Sequence, residues 1–263
     1  VGVTVQTVID LMVKQPIPNT VDGLLAGKPD DKVEAIAVAF MASQQVIEEA
    51  AALGASLLIT HEGLHYAHRD PVEELKQDAV FLDKNERVRQ SGIAIYRNHD
   101  SVHRAQPDLI TAGLVEHLGW SGSVEEVRDY ASIVTLSAAQ PLVEIVQEVK
   151  QKLGIHYVRV IGDPNSLCQR IGLSAGYRGG ASIMLPLNDP EPIDLFIIGE
   201  GMEWEVPAYV TDAVQQGRDK ALIVLGHAES EVPGMKLLAD QLRTALDGVP
   251  VYFISEKPLF QLM

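Results

Sequence analysis

The chain has little sulfur and little positive charge. Its one cysteine, Cys168, excludes a disulfide framework and a thiolate metal cage, and it fits a reducing, cytoplasmic setting. Lys and Arg number 21 against 36 Asp and Glu, a net charge of −15. Such a surface opposes non-specific binding to nucleic acid or anionic membranes and favours accumulation of cations. No run of 18 apolar residues is present, so no membrane span is expected. The first residues lack a basic region followed by a long apolar stretch, so no signal peptide is expected. Internal repeats and low-complexity segments are also lacking.

What remains is an ordinary globular composition, 46% apolar and 22% charged over 263 residues, enough for one large domain or two smaller ones. Strand and helix patterns alternate. Residues 33–40 read as a strand, and Ser43 caps a helix over 44–53 that Gly54 stops. A strand over 56–60 follows, giving a βαβ-like unit. A helix is expected over 72–91, with Glu73 and Glu74 in its first turn and Gly92 as its stop. A strand from Ile93 and a helix over 107–117 come next, with Pro107 at the helix start. Gly and Ser gather at 119–126, read as a domain boundary.

Beyond it, strands are expected over 131–136, 157–161, 170–174, 195–198 and 221–225, with helices over 141–153 and 206–216. A last helix runs from about Ser230 to 246, and a strand over 249–254 closes the chain. The fold class is α/β with two α/β domains. Residues 1–126 and 221–263 form one, and 127–220 are inserted as the second. The strand at Ala221 is expected to join the sheet that holds the strand at Ser56.

Three apolar runs end in polar clusters rich in histidine: His61-Glu62-Gly63-Leu64-His65, Asn98-His99-Asp100-Ser101-Val102-His103, and Gly226-His227-Ala228-Glu229-Ser230-Glu231. Fully apolar short runs read as buried parallel strands, and ligand sites in open α/β sheets lie beyond their carboxyl ends. Taken alone, His227 is an ordinary loop residue and Glu231 an ordinary first-turn acid, off one another's helical face. His61 alone is an ordinary structural histidine. Together with Glu200, which also ends a strand, they place imidazole and carboxylate at one polar edge. That is the donor chemistry of a divalent-metal site.

His65 is kept near the site because it follows His61 by four residues, whereas His68, His117 and His156 read as structural or exposed. The glycines at 176–180 lack the Lys-Ser/Thr ending of a phosphate loop and read as a tight turn. Cys168 has no histidine nearby in sequence and reads as a buried filler.

Five segments carry a resemblance: Leu58-Ile59-Thr60-His61-Glu62, residues 96–105, residues 174–182, Ile198-Gly199-Glu200, and Gly226 through Glu231. In order and spacing they resemble the Nif-three-like family of dinuclear metal-centre proteins, also named GTP cyclohydrolase I type 2 homologues. The resemblance implies a two-domain α/β fold whose chain leaves one domain and returns to it. It also implies a homohexameric toroid and two divalent ions, Zn, Fe or Mn, held between the domains near strand carboxyl ends. Carried over, the metal ligands are His61, Glu62, His103, His227 and Glu231, with His99 matching a histidine that precedes the family's aspartate.

The chain departs from that pattern twice. Glu62 stands where the family has a second histidine, and His103 where it has an aspartate. The exchange is reciprocal, so the set still holds three imidazoles and two carboxylates. Glu200 is nominated for proton transfer or for orienting a ligand. His65, His99 and Asp100 are placed around the site. The implied function is a metal-dependent hydrolase for a nucleotide-like or heterocyclic small molecule. The alternative is a non-enzymatic metal-binding, storage or regulatory oligomer.

Overall fold

The computed structural model describes residues 2–69, 73–178, 180–261 and 263. Along the first part of the chain lie α1 (Val5–Met12), β1 (Gly23–Ala26), β2 (Ile36–Ala39), α2 (Gln44–Ala52), β3 (Leu57–Thr60), α3 (Ala79–Ser91), β4 (Ala94–Arg97) and α4 (Asp100–His103). Next come α5 (Leu109–His117), β5 (Val124–Arg128), β6 (Ala131–Pro141), α6 (Leu142–Leu153), β7 (Arg159–Ile161) and β8 (Leu167–Ser174). The chain ends with α7 (Ala181–Met184), β9 (Leu195–Ile198), α8 (Val206–Gln215), β10 (Ala221–Val224), α9 (His227–Ala245) and β11 (Val251–Phe253). Two compact units result: Val1–His103 with Met235–Met263, and Arg104–Gly234. The chain leaves the first unit and returns to it.

The first unit is a five-stranded sheet ordered β1-β4-β3-β2-β11. Strands β11, β2, β3 and β4 run parallel, and β1 closes one edge antiparallel to β4. Parallel neighbours need a crossover, and the sequence supplies helices with clear ends. Ser43 Oγ accepts from Val46 N at 3.2 Å to start α2, and Gly54 leaves it in the left-handed region at φ 71°. Asp78 accepts from Val80 N and Phe81 N at 2.9 and 3.1 Å to start α3, and Gly92 ends it at φ 64°. Ala37, Leu58 and Ile95 on the strands pack with Val46, Ile47 and Ala50 of α2 and Val88 of α3.

The second unit is a six-stranded sheet ordered β5-β6-β8-β9-β10-β7, in which β8, β9 and β10 are parallel and the outer pairings antiparallel. Helix α5 packs on β6 and β8. It also meets the start of α9 at two glycines: a Cβ on Gly113 would lie 2.5 Å from Gly234 Cα. Backbones this close leave no room for side chains, which is why glycine sits inside both helices. Among the described residues no helix is long and apolar enough to cross a membrane.

Several expectations need correction. The strand at Ala221 does not join the sheet of β3. It pairs with β9 and β7 in the second unit, and β11 is the strand that returns to lie beside β2. The second unit begins at Arg104, ahead of the 119–126 segment, because α5 and β5 pack on and pair with its sheet. The helix expected over 72–91 starts at Ala79, where Asp78 offers a cap. Glu73–Leu75 form a separate 3-10 turn, and Val72 lies outside the described residues. Helix α5 starts at Leu109, capped by Asp108, rather than at Pro107.

One carboxyl in the first unit carries a pH dependence. Glu256, just after β11, accepts from Phe40 N at 3.2 Å and Met41 N at 3.3 Å. Burial pushes it up from 4.5 to about 7, against the pull of those two bonds. Between those values the folded chain keeps a proton that the unfolded chain has released, so stability falls as pH rises through the window and levels off above it. The loss is at most about 3 kcal/mol. Glu256→Gln, which cannot ionise, is expected to flatten that part of the profile in urea unfolding run at several pH values. Identical wild-type and variant slopes would refute the assignment.

Candidate metal centre

Strands β3 and β4 are parallel neighbours whose last paired residues are Thr60 and Arg97. His61 and Asn98 are therefore the first residues past the carboxyl ends. Both His61 N and Glu62 N donate to Phe40 O at 2.9 Å, which ties them to the end of β2. Beyond Asn98 the chain turns at once into α4, whose opening amides are held by Asp22. Asp22 Oδ1 accepts from His99 N and Asp100 N at 2.7 and 2.6 Å, and Oδ2 accepts from Ser101 N at 2.8 Å. A carboxylate on exposed helix-start amides is favourable. Here it fixes the one turn that places His99 and His103 four residues apart on one side.

His61, His99 and His103 consequently meet. Their ring centroids are 4.5 Å (His61–His99), 4.8 Å (His61–His103) and 4.9 Å (His99–His103) apart, and one nitrogen of each lies within 4.8 Å of the others. All three are buried. His61 Nδ1 faces Asn98 O at 3.3 Å, and His99 Nδ1 faces Asp100 Oδ1 at 3.0 Å. A carbonyl or carboxylate there accepts a hydrogen bond from Nδ1–H, which keeps the proton on that nitrogen and leaves the Nε2 lone pair for a ligand role. Burial, then the neighbouring imidazole of His61, holds His99 down at about 4, so it is neutral at pH 7, the form a metal requires. Burial alone would raise Asp100. Hydrogen bonds from His99, Thr20 and Val21 N outweigh it and hold the carboxylate at about 2.

Glu62 reaches this group from the side. Its Oε2 accepts from Arg97 Nη2 at 2.9 Å and its Oε1 lies 3.8 Å from His99 Nε2. His68, read from the sequence as a loop residue, sits over His99 with ring centroids 5.0 Å apart and joins Glu62 and His99 in a second possible ligand group. Its loop neighbour Asp70 lies outside the described residues. His65, placed near the site by its spacing, turns away. Its Nε2 is 2.9 Å from Asn85 Oδ1 and its ring packs on Phe81.

The second unit repeats the principle on its own parallel strands. β9 ends before Gly199-Glu200, and β10 before Leu225-Gly226. Gly226, at φ 114°, breaks the strand so that α9 begins directly at His227. His227 and Glu231 therefore do share a helical face, contrary to the sequence reading. His227 Nε2 lies 3.3 Å from Glu231 Oε2, and Nδ1 lies 2.8 Å from Glu200 Oε2. Ser230 is no cap. Its Oγ donates to His227 O at 2.7 Å and accepts from Gly176 N at 2.8 Å. Pro233 lies inside the helix. The glycine turn closes over the carboxylate: a Cβ on Gly176, at φ 61°, would fall 2.0 Å from Glu231 Oε1. Gly179 in that turn lies outside the described residues. Cys168 is buried away from any histidine pairing, its thiol pushed up to about 12 by burial.

Two α/β units, each with histidine and carboxylate side chains just past the ends of parallel strands, define a class: a two-unit α/β protein with possible metal-binding residues. A family model described as Duf34/NIF3 (NGG1p interacting factor 3) matches residues 17–258, and the chain belongs to that family. A curated relative in Lactococcus lactis subsp. lactis (strain IL1403), named GTP cyclohydrolase 1 type 2 homolog, is 26% identical over 242 residues, covering 89% of this chain and 88% of its own. Among solved structures, the Staphylococcus aureus hypothetical protein SA1388 has a TM-score of 0.79 at 18% identity, covering 100% of both chains. A Bacillus cereus protein related to NIF3 has a TM-score of 0.76 at 15% identity, covering 99% of each. These two likenesses show the fold.

Proposed function

We propose that the chain binds two divalent ions, Zn, Fe or Mn, through His61, Glu62, His103, His227 and Glu231, with His99 as a further donor. It then acts as a metal-dependent hydrolase on a nucleotide-like or heterocyclic small molecule. The observation that carries the reading is the trio of buried imidazoles with nitrogens within 4.8 Å of one another. The donor set fits such ions, since imidazole with carboxylate suits borderline metals. Three neutral imidazoles leave the charge of a divalent ion uncompensated, and the His227–Glu231 pair offers the missing carboxylate. That both groups serve one centre is part of the proposal.

When bound, a metal pair supplies Lewis-acid activation of water. The chain's own residues do the rest. Asp100 and Asn98 O hold the His99 and His61 rings. Glu200 accepts a hydrogen bond from His227 Nδ1–H and so orients its Nε2. With its side chain about half exposed, Glu200 can also exchange a proton with a solvent-side substrate. The second reading, metal storage or regulation in a homo-oligomer, draws on the burial of all three imidazoles, since closed sites favour structure or storage over catalysis.

Elemental analysis of the chain purified without chelators, followed by incubation of the metal-restored protein with GTP, tests the reading. Two equivalents of metal and time-dependent conversion of GTP that chelation stops are expected. Stoichiometric metal with GTP and other purine nucleotides untouched would favour storage, and absence of metal would overturn both. Light scattering of the same sample tests the hexamer that the family resemblance implies.

A further inference from the structure

A narrow cleft opens beside Glu200 at the strand ends of the second unit. Ser174, Gly176, Arg178, Gly180, Ile198 and Glu200 line it, and its free volume of ≈ 10 Å³ accepts about one oxygen-sized group. Arg178 lies with its guanidinium carbon 4.5 Å from the centre of the Tyr130 ring. Tyr130 is itself fixed to the cleft, its carbonyl accepting from Ser174 Oγ at 2.7 Å. A cation–π contact holds the guanidinium without supplying an oxygen acceptor for its N–H donors.

Among the described residues those donors find no acceptor. Arg178 Nε is buried without a hydrogen-bond partner, and Arg178 enters none of the ion pairs found there. Nearby carboxylates are engaged elsewhere. Glu200 holds His227 Nδ1 at 2.8 Å, and Glu205 accepts from Tyr177 Oη at 3.1 and 3.2 Å. Glu205 also fills the space above Gly180, where a Cβ would strike it at 1.7 Å. A buried donor of a charged group with no acceptor is costly to keep, and Arg178 Nε is one. An anion from outside the chain would supply the acceptor.

We propose that Arg178 is an anion-binding residue of the pocket beside His227 and Glu200. The small molecule taken there carries an oxyanion, a phosphate or a carboxylate. One of its oxygens enters the cleft and accepts from the Arg178 fork. The planar guanidinium matches either group in a way an ammonium does not. The inference rests on reading that strand edge as a substrate site and adds the chemical group the substrate bears.

The test uses the full chain stripped of metal, so that an anion cannot bind through a metal ion. Inorganic phosphate and, separately, acetate are titrated calorimetrically at low salt. At least one is expected to bind in the millimolar range. Arg178→Gln is expected to weaken it at least about tenfold, as loss of a charge-assisted hydrogen bond implies. Arg178→Lys, which keeps the charge and loses the fork, should weaken it by a few fold, and it serves if the Gln variant fails to fold. Tighter phosphate points to a phosphorylated substrate and tighter acetate to a carboxylic acid. Absence of binding by the wild type up to about 20 mM, or equal binding by wild type and the variants, overturns the proposal. Metal content, measured on the untreated wild type, fails or holds independently. A chain without metal whose phosphate binding still depends on Arg178 would sink the metal centre and leave the anion site standing.

Discussion

His61→Ala is expected to abolish the thermal stabilisation that zinc gives the wild-type chain. Binding to the folded state alone stabilises by about 4 kcal/mol when free ligand stands ~1,000-fold above its dissociation constant. For a chain of this size that is a rise in Tm of roughly 10 °C. His61 is the member of the trio closest to both others, at 4.5 and 4.8 Å between ring centroids, and its Nδ1 is turned toward Asn98 O. Alanine removes that nitrogen and leaves the trio with two imidazoles. The readout is the difference in Tm with and without zinc for each variant, so the stability lost by emptying a buried position cancels. His65→Ala is the contrast. Its ring is held by Asn85 and Phe81, and the zinc-induced rise should persist. A rise retained in His61→Ala, or lost equally in His65→Ala, would remove the trio as the binding group.

The contrast between those two histidines shows what the sequence could and could not convey. The place of His61 just past a strand end was legible because a continuous apolar run, Leu57 to Thr60, leads into it. His65 was placed by distance along the chain. Residues past a strand end follow the loop's own hydrogen bonds, and those of His65 lead to Asn85, twenty positions on. Asp22 carried no local signal at all. It acts through the backbone of residues 99–101, some eighty positions away, and only the antiparallel pairing of β1 with β4 brings it there.

The start of α9, expected near Ser230, is set by a local break: Gly226 ends the strand so sharply that the helix begins at His227. The Ala221 strand was legible as an element but not as a member of its sheet. Its partner depends on the short α8 crossover from β9, which keeps it in the second sheet.

Glu62→His, which restores the residue implied by the family resemblance, is expected to destabilise the metal-free chain by about 2–3 kcal/mol. Arg97 is 2% exposed, and Glu62 is its carboxylate partner at 2.9 Å. Its other partners are the carbonyls of His61 and His68 and the His68 ring nitrogen Nδ1 at 3.4 Å. Removing one member of a buried ion pair typically costs about 3–5 kcal/mol, and the quarter exposure of the Glu62 side chain lowers that figure through solvent screening. Were Glu62 a metal ligand alone, the same change would leave the metal-free chain nearly untouched. His103→Asp, the reciprocal change, should not relieve the loss, because Arg97 pairs with Glu62 and not with residue 103. In metal content the two positions should behave differently, each single change lowering bound metal more than the double change does. Residues sharing one site couple by on the order of 0.5–3 kcal/mol. The four variants, measured by urea unfolding after chelation and by elemental analysis after reconstitution, separate the roles. Rescue of metal-free stability by His103→Asp would mean that residue 103 supplies charge to Arg97. Simple additivity in metal content would mean that Glu62 and His103 do not serve one centre.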